Sequence, residues 1–280
     1  MTFRQYSVLS ARVVRYWSQK MNQPSSAEED KRTVLLFGAS NLTLGWSSVV
    51  GQLSQRFAAP IDLHCFLGMG RSWLKPSRYG FRVLPGILNC DFWTVPVTGR
   101  TASVLLTDAG NDIVYGFSAG QIAAALQETI ERLRHRWCDA EIVITRPPMA
   151  SLRSLSRFRF RIARTLLFPG SQLTLESAVG EAEQLDQEIR QLGEEVGLTV
   201  VEPQSHWYGL DPIHIRRTCR DTAFQTMFSH WYSGNPAEPG QWSQTALPSL
   251  PKASFQLVFG RAVQTSQPVC SNSNWSVSGW

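Results

Sequence analysis

The sequence predicts an α/β protein built on a mostly parallel sheet with helices on both faces. Three observations carry this expectation. Short apolar runs alternate with amphipathic, helix-spaced stretches from Thr33 to Tyr232. The runs are continuously apolar rather than alternating, as strands buried on both faces require. Clusters of Gly, Ser, Asn and Asp fall directly after the runs, where open α/β sheets place their ligands.

Taken in order, residues 1–31 end in NQPSSAEEDK, a polar stretch read as a flexible N-terminal extension. TVLLFG (33–38) reads as the first buried strand, and LGWSSVVGQLSQRF has helical spacing. IDLHCFLG and TASVLLT (101–107) read as the second and third strands. AGQIAAALQETIERLRHRW is the clearest helix. AEIVITRP is the fourth strand, 176–196 an acidic-faced helix, LTVVEP the last strand, and IRRTCRDTAFQTMFSHWY a closing helix. After Tyr232 the texture turns rich in Pro, Ser and Gly. Residues 233–280 are therefore read as a tail, in which SFQLVFG could add a short strand. The main domain is expected over 32–232.

Composition bounds the function. A chain of 280 residues can bury a core without disulfide staples. Cys65, Cys90, Cys138, Cys219 and Cys270 form no C-x-x-C pair, which points to a reducing compartment and away from zinc or a disulfide framework. No run is apolar for long enough to span a bilayer. The basic N-terminus lacks the apolar core and cleavage site of a signal peptide, so a cytoplasmic location is expected. The net charge of +5 is as easily a matter of solubility as of anionic partners. There is no phosphate-loop motif, and in GMGRSW Trp73 stands where a dinucleotide fingerprint needs its third glycine. The histidines show no metal-ligand spacing, and His64 reads as a core residue within a strand. No metal, organic cofactor or nucleic-acid partner is expected.

Four strand-end loops form a chemically matched set. Gly38-Ala39-Ser40-Asn41 follows the first strand and LGMGRSW, with Gly68 and Gly70, the second. DAGNDIVYG follows the third, and YGLDPIHIRR the last. Acyl transfer needs a hydroxyl nucleophile, a base, a group that orients the base, and donors for the oxyanion. Ser40 suits the first role, His214 the second and Asp211, three residues earlier, the third. The backbone N–H groups of Ser40 and Gly70 and the Asn111 side-chain amide suit the fourth.

This set resembles the SGNH (GDSL-type) hydrolases, a family of esterases, lipases, thioesterases and carbohydrate acetylesterases. The matching blocks are Gly38-Ala39-Ser40-Asn41-Leu42, Gly70, Asn111-Asp112 and Asp211-Pro212-Ile213-His214. Their order agrees from Thr33 to Tyr232. The resemblance implies a flavodoxin-like three-layer α/β/α sandwich, a Ser40–His214–Asp211 triad, an oxyanion hole of Ser40, Gly70 and Asn111, and a small acyl ester or thioester as substrate. The chain departs from the family pattern at Ala39, where aspartate is usual, at Asn41, at Ala109, and at Cys65.

Competing readings exist for these residues. Ser40 could be a helix N-cap, His214 a surface residue and Asn111 a turn amide; Asp112 reads as structural. A silent domain of the same fold, binding an acyl, sugar or protein ligand, is the alternative function. GFSAG (116–120) matches the nucleophile elbow of the α/β-hydrolase fold, with Ser118 as nucleophile. Against it, no strand leads directly into the motif, and Gln121 makes a capping box with Ser118. Finally, 149–170 carries Arg153, Arg157, Arg159, Arg161 and Arg164 among apolar residues. It is read either as a lid whose arginines meet an anionic acyl group or a lipid surface, or as an amphipathic helix with a solvated basic face.

Overall fold

A computed structural model describes residues 32–58, 60–97, 102–167, 173–232 and 247–280. The extension read over 1–31 and the first part of the tail, 233–246, lie outside them.

The chain begins with strand β1 (Arg32–Phe37), helix α1 (Ser40–Leu44), helix α2 (Trp46–Arg56) and strand β2 (Ile61–Phe66). A short hairpin, β3 (Ser77–Tyr79) and β4 (Arg82–Leu84), leads to β5 (Ala102–Leu106). Then come α3 (Asn111–Val114), α4 (Ala119–Arg136) and β6 (Glu141–Thr145). Helices α5 (Met149–Arg153), α6 (Arg157–Leu167) and α7 (Leu175–Val196) precede β7 (Thr199–Val201) and α8 (Arg220–Phe228). Strands β8 (Phe255–Val258), β9 (Arg261–Gln264), β10 (Cys270–Ser271) and β11 (Trp275–Gly279) close the chain.

The main sheet runs β10-β11-β2-β1-β5-β6-β7, with every pairing parallel except β10 with β11. Its five central strands, β2-β1-β5-β6-β7, follow the flavodoxin-like order 2-1-3-4-5. The expected α/β sandwich with a mostly parallel sheet is therefore what the chain adopts. Strand order reverses between β1 and β5, so the loops that leave these strands splay apart and open a crevice.

Both faces of β1 are buried, which is why its sequence is continuously apolar. Leu35 and Phe37 face one core with Ile122, Leu126 and Ile130 of α4 and Leu185 and Ile189 of α7. Val34 and Leu36 face the other, with Val49, Val50 and Leu53 of α2 and Phe224 and Phe228 of α8. Each fully buried side chain of this kind stabilises the fold by about 1.5–3 kcal/mol. Ser118 starts α4 with a complete capping box, its hydroxyl accepting from Gln121 N–H and Gln121 accepting from Ser118 N–H at 3.0 Å. Helix α7 ends on Gly197, at φ 64°.

The boundary expected at Tyr232 does not match the sheet. Strand β11 pairs in parallel with β2 and buries Trp275 and Val277 in the core. Strands β8 and β9 join the β3–β4 hairpin in a second, antiparallel sheet. The Pro- and Ser-rich composition hid this, because β11 offers only WSVSG, a stretch with two apolar residues among serines and glycine. Among the described residues no helix is long and apolar enough to cross a membrane.

Candidate active site

The four loops chosen from sequence converge at the carboxyl ends of β1 and β5. The first turn is tight because Gly38 lets the backbone pass closely: a Cβ there would lie 2.7 Å from both Leu42 Cδ1 and Thr107 Cγ2. Ser40 is the first residue of α1 and is buried. Ala39, its N-cap, has no side chain to cap the helix. That task falls to Asp108, from the end of β5. Its Oδ2 accepts from Ala39 N–H at 3.0 Å and Asn41 N–H at 3.1 Å, and its Oδ1 from Asn41 Nδ2 at 2.7 Å. Asp108 reaches this position with φ 61°, a left-handed conformation that aspartate tolerates better than most residues.

The loop after β7 brings in His214. Ser40 Oγ lies 2.9 Å from His214 Nε2, and His214 Nδ1 lies 2.6 Å from Asp211 Oδ2. Asp211 Oδ1 accepts from the backbone N–H groups of Ile213 (3.1 Å) and His214 (3.2 Å). Partial burial opposes ionisation of Asp211. The hydrogen bond and charge of His214, together with those two N–H groups, outweigh it and hold the carboxyl below its ordinary value. An ionised carboxylate only accepts, so His214 Nδ1 carries the proton and Nε2 is left to accept from the Ser40 hydroxyl. That is the tautomer a general base needs.

Asn41 ties the two loops together. Besides Asp108, its Nδ2 donates to Ile213 O at 2.9 Å, and its Oδ1 accepts from Ile215 N–H at 2.8 Å. The residue beside Ser40 thus holds the backbone on both sides of His214. Sequence reasoning noted Asn41 only as a departure from the family pattern and missed Asp108. The available signal was a buried-strand end followed at once by aspartate, and it does not reveal a partner 67 residues away.

Gly70 and Asn111 face the same serine. Gly70 adopts φ 61°, and its carbonyl accepts from Tyr115 Oη at 2.6 Å. Burial, then the Asp112 charge, pushes the Tyr115 phenol up to about 12, so it stays a donor at neutral pH. Asp112 is fully buried and holds the glycine loop: it accepts from Ser72 Oγ and from Trp73 N–H at 2.9 Å. Burial pushes its carboxyl up against the pull of these donors. The structural reading of Asp112 fits its surroundings. Neither Ser40 N–H nor Gly70 N–H donates to a backbone carbonyl among the described residues. Asn111 Nδ2 is buried with no hydrogen-bond partner. A buried, unpaired amide costs about 1–3 kcal/mol, so its presence beside Ser40 asks for an acceptor from outside the chain.

Two recesses meet at these residues. The larger, about 130 Å³, runs from Ser40 and Asn111 beneath α5 and α6, past Leu152, Leu155 and Phe160. The smaller is lined by Gly70, Arg78, Tyr79, Tyr115 and His214 as well as by Ser40. The 149–167 segment thus covers the larger recess, but with its apolar side chains. Arg153 pairs with Glu183 at 2.9 Å, Arg157 with Glu176 at 2.6 Å, and Arg159 donates to Gly209 O and Leu210 O. None of these arginines lines either recess, and Arg161 is exposed. The Arg164 side chain lies outside the described residues. Arg153 and Arg157 thus meet carboxylates on the acidic face of α7, and both pairs are exposed. Ser118 is exposed and engaged with Gln121, so the elbow reading of GFSAG does not hold.

No protein-family model and no curated protein matches the chain. Among solved structures it is similar to Est24, a carbohydrate acetylesterase from Sinorhizobium meliloti, at 12% identity and TM-score 0.50, covering 71% of this chain and 97% of that one. A member of the lipolytic protein G-D-S-L family from Veillonella parvula DSM 2008 aligns at 11% identity and TM-score 0.47, covering 73% and 100%. The aryl esterase of M. smegmatis aligns at 13% and 0.46, covering 70% and 95%. At such identities the likeness is one of architecture: the chain has the α/β fold of Est24, the sandwich expected of SGNH-type hydrolases.

Proposed function

We propose that this chain is a serine hydrolase of the SGNH type that cleaves a carboxylic ester or thioester through an acyl-serine intermediate. The observation that carries the reading is the unbroken line Ser40 Oγ–His214 Nε2, His214 Nδ1–Asp211 Oδ2, at 2.9 and 2.6 Å, opening onto a recess. Ser40 Oγ attacks the substrate carbonyl while His214 Nε2 takes its proton. The negative charge that develops on the carbonyl oxygen is met by Ser40 N–H, Gly70 N–H and Asn111 Nδ2. The tetrahedral adduct collapses by breaking the acyl–oxygen or acyl–sulfur bond, and the leaving group takes the proton from His214. Water then attacks the acyl-serine, giving its proton to His214 and releasing the acid as the proton returns to Ser40. Asp211 stabilises the imidazolium in both halves. The substrate is a small molecule in this reading. A fold shared with a carbohydrate acetylesterase agrees with the proposal.

Labelling with a fluorophosphonate probe and mapping the modified peptide tests it. Label on Ser40, abolished in Ser40→Ala and in His214→Ala, is the expected result. No label on folded protein would refute the hydrolase reading and favour a ligand-binding domain of the same fold.

A further inference from the structure

Resting on the hydrolase reading, we propose that the acyl half of the substrate is an uncharged aliphatic chain of intermediate length seated in the larger recess, with the leaving group in the smaller one. The assignment follows from where the acid stands. Ser40, Asn111 and Ile213 border both recesses, so the scissile carbonyl sits at their junction. His214 borders only the smaller one. The group that protonates the leaving atom must lie within hydrogen-bond reach of it, so the leaving group points toward His214. The acyl chain is left the opposite direction, beneath α5 and α6.

The character of that space sets the acyl chemistry. Ile113, Pro148, Leu152, Leu155, Phe160 and Ala182 all border it. Arg146 does so too, but its guanidinium is held by Asp186 at 2.6 Å and Glu202 at 2.7 Å. Arg153 and Arg157 are held by α7. A terminal carboxylate on the acyl chain would therefore meet mostly apolar walls, the Asp108 side chain, and a cation already paired. Of the readings of the arginine-rich segment, the one in which its arginines meet an anionic acyl group gives way to a neutral acyl chain. The volume of about 130 Å³ sets the length. An apolar protein cavity of about 150 Å³ holds benzene, so the space accommodates on the order of six carbons. An acetyl group would leave most of it unfilled.

The test is kcat/KM of the full chain on p-nitrophenyl esters from acetate to dodecanoate, with a glutaryl monoester for charge. Each methylene buried in an apolar site is worth about fourfold, so hexanoate should exceed acetate by roughly 10²-fold, with a decline at dodecanoate. Ala182→Phe and Leu155→Trp each add bulk to the lining, and each should lower the hexanoate-to-acetate ratio at least tenfold. The second variant, at the covering segment, guards against misfolding of the first. A profile that peaks at acetate, or a ratio unchanged in both folded variants, overturns the acyl assignment while leaving the hydrolase reading intact. A glutaryl ester that outperforms pentanoate overturns its neutral character. Failure to hydrolyse any ester overturns the hydrolase reading and this inference with it.

Discussion

Replacing Asn111 with alanine separates the two roles an asparagine can have in a strand-end loop. A turn amide contributes to the folded state through its side-chain hydrogen bonds, and its loss lowers stability. An oxyanion donor contributes to the transition state and waits unpaired in the free protein. Asn111 Nδ2 is buried and has no partner, which is the second pattern. The backbone bond from Asn111 N–H to Asp108 O, 3.2 Å, survives the substitution. Losing one oxyanion donor should cost about 2.7–4 kcal/mol in the transition state, or roughly 10²–10³ in kcat. Removing a buried unpaired amide relieves a penalty of about 1–3 kcal/mol. For a domain of this size each kcal/mol moves Tm by about 2–4 °C. The variant should therefore be much slower and at least as heat-stable as the parent. Single-turnover and steady-state rates on an activated ester, read beside thermal unfolding, check both halves. A kcat within about threefold of the parent, or a Tm that falls, would refute the assignment.

Other substitutions probe the supporting structure. Asn41→Ala deletes hydrogen bonds to Asp108, Ile213 and Ile215, so it should destabilise by about 2–3 kcal/mol and lower kcat; unchanged Tm in chemical or thermal unfolding would refute its bridging role. Arg146→Met leaves Asp186, which is 5% exposed, with Arg190 as its remaining partner. Because Arg190 still compensates the charge, losing the Arg146 hydrogen bonds should cost about 1.5–3 kcal/mol, and a denaturant midpoint unchanged from the parent would count against it. Asp211 supplies a pH test. Its folded carboxyl lies below the ordinary value, so its stabilising effect is fully present above about pH 4 and is lost as pH falls through the folded value. The side chain is half exposed, so the effect is modest. Asp211→Asn should thus lie below the parent in Tm at neutral pH and converge with it in acid. Parallel Tm–pH curves would contradict the hydrogen bond to His214 as a stabilising contact.

The alternation of buried strands and amphipathic helices was legible because hydrophobic periodicity is a local property. Strand β1 is apolar at every position since both its faces are covered, and α4 announces itself by a capping box within four residues. Ser40, Gly70, Asn111 and His214 were legible for a related reason: each follows a strand, and parallel strands deliver their exits to one edge of the sheet. The β3–β4 hairpin and β11 were not legible. Three-residue strands and a serine-rich strand carry too little pattern, and β11 enters the main sheet by pairing with β2, more than 200 residues earlier.

What the sequence determined by itself was therefore the α/β class and the set of candidate side chains at the strand exits, both written in short-range pattern. Tertiary structure alone decided how those side chains are held and what surrounds them. Asn41 meets Ile213 across 172 residues of chain, and Arg153 meets Glu183 rather than a substrate. Leu152 and Phe160, not the arginines, line the space beside Ser40. These outcomes depend on which elements the sheet order brings together. A charge or an amide can be read from sequence; its partner is chosen by the packing of distant helices and strands.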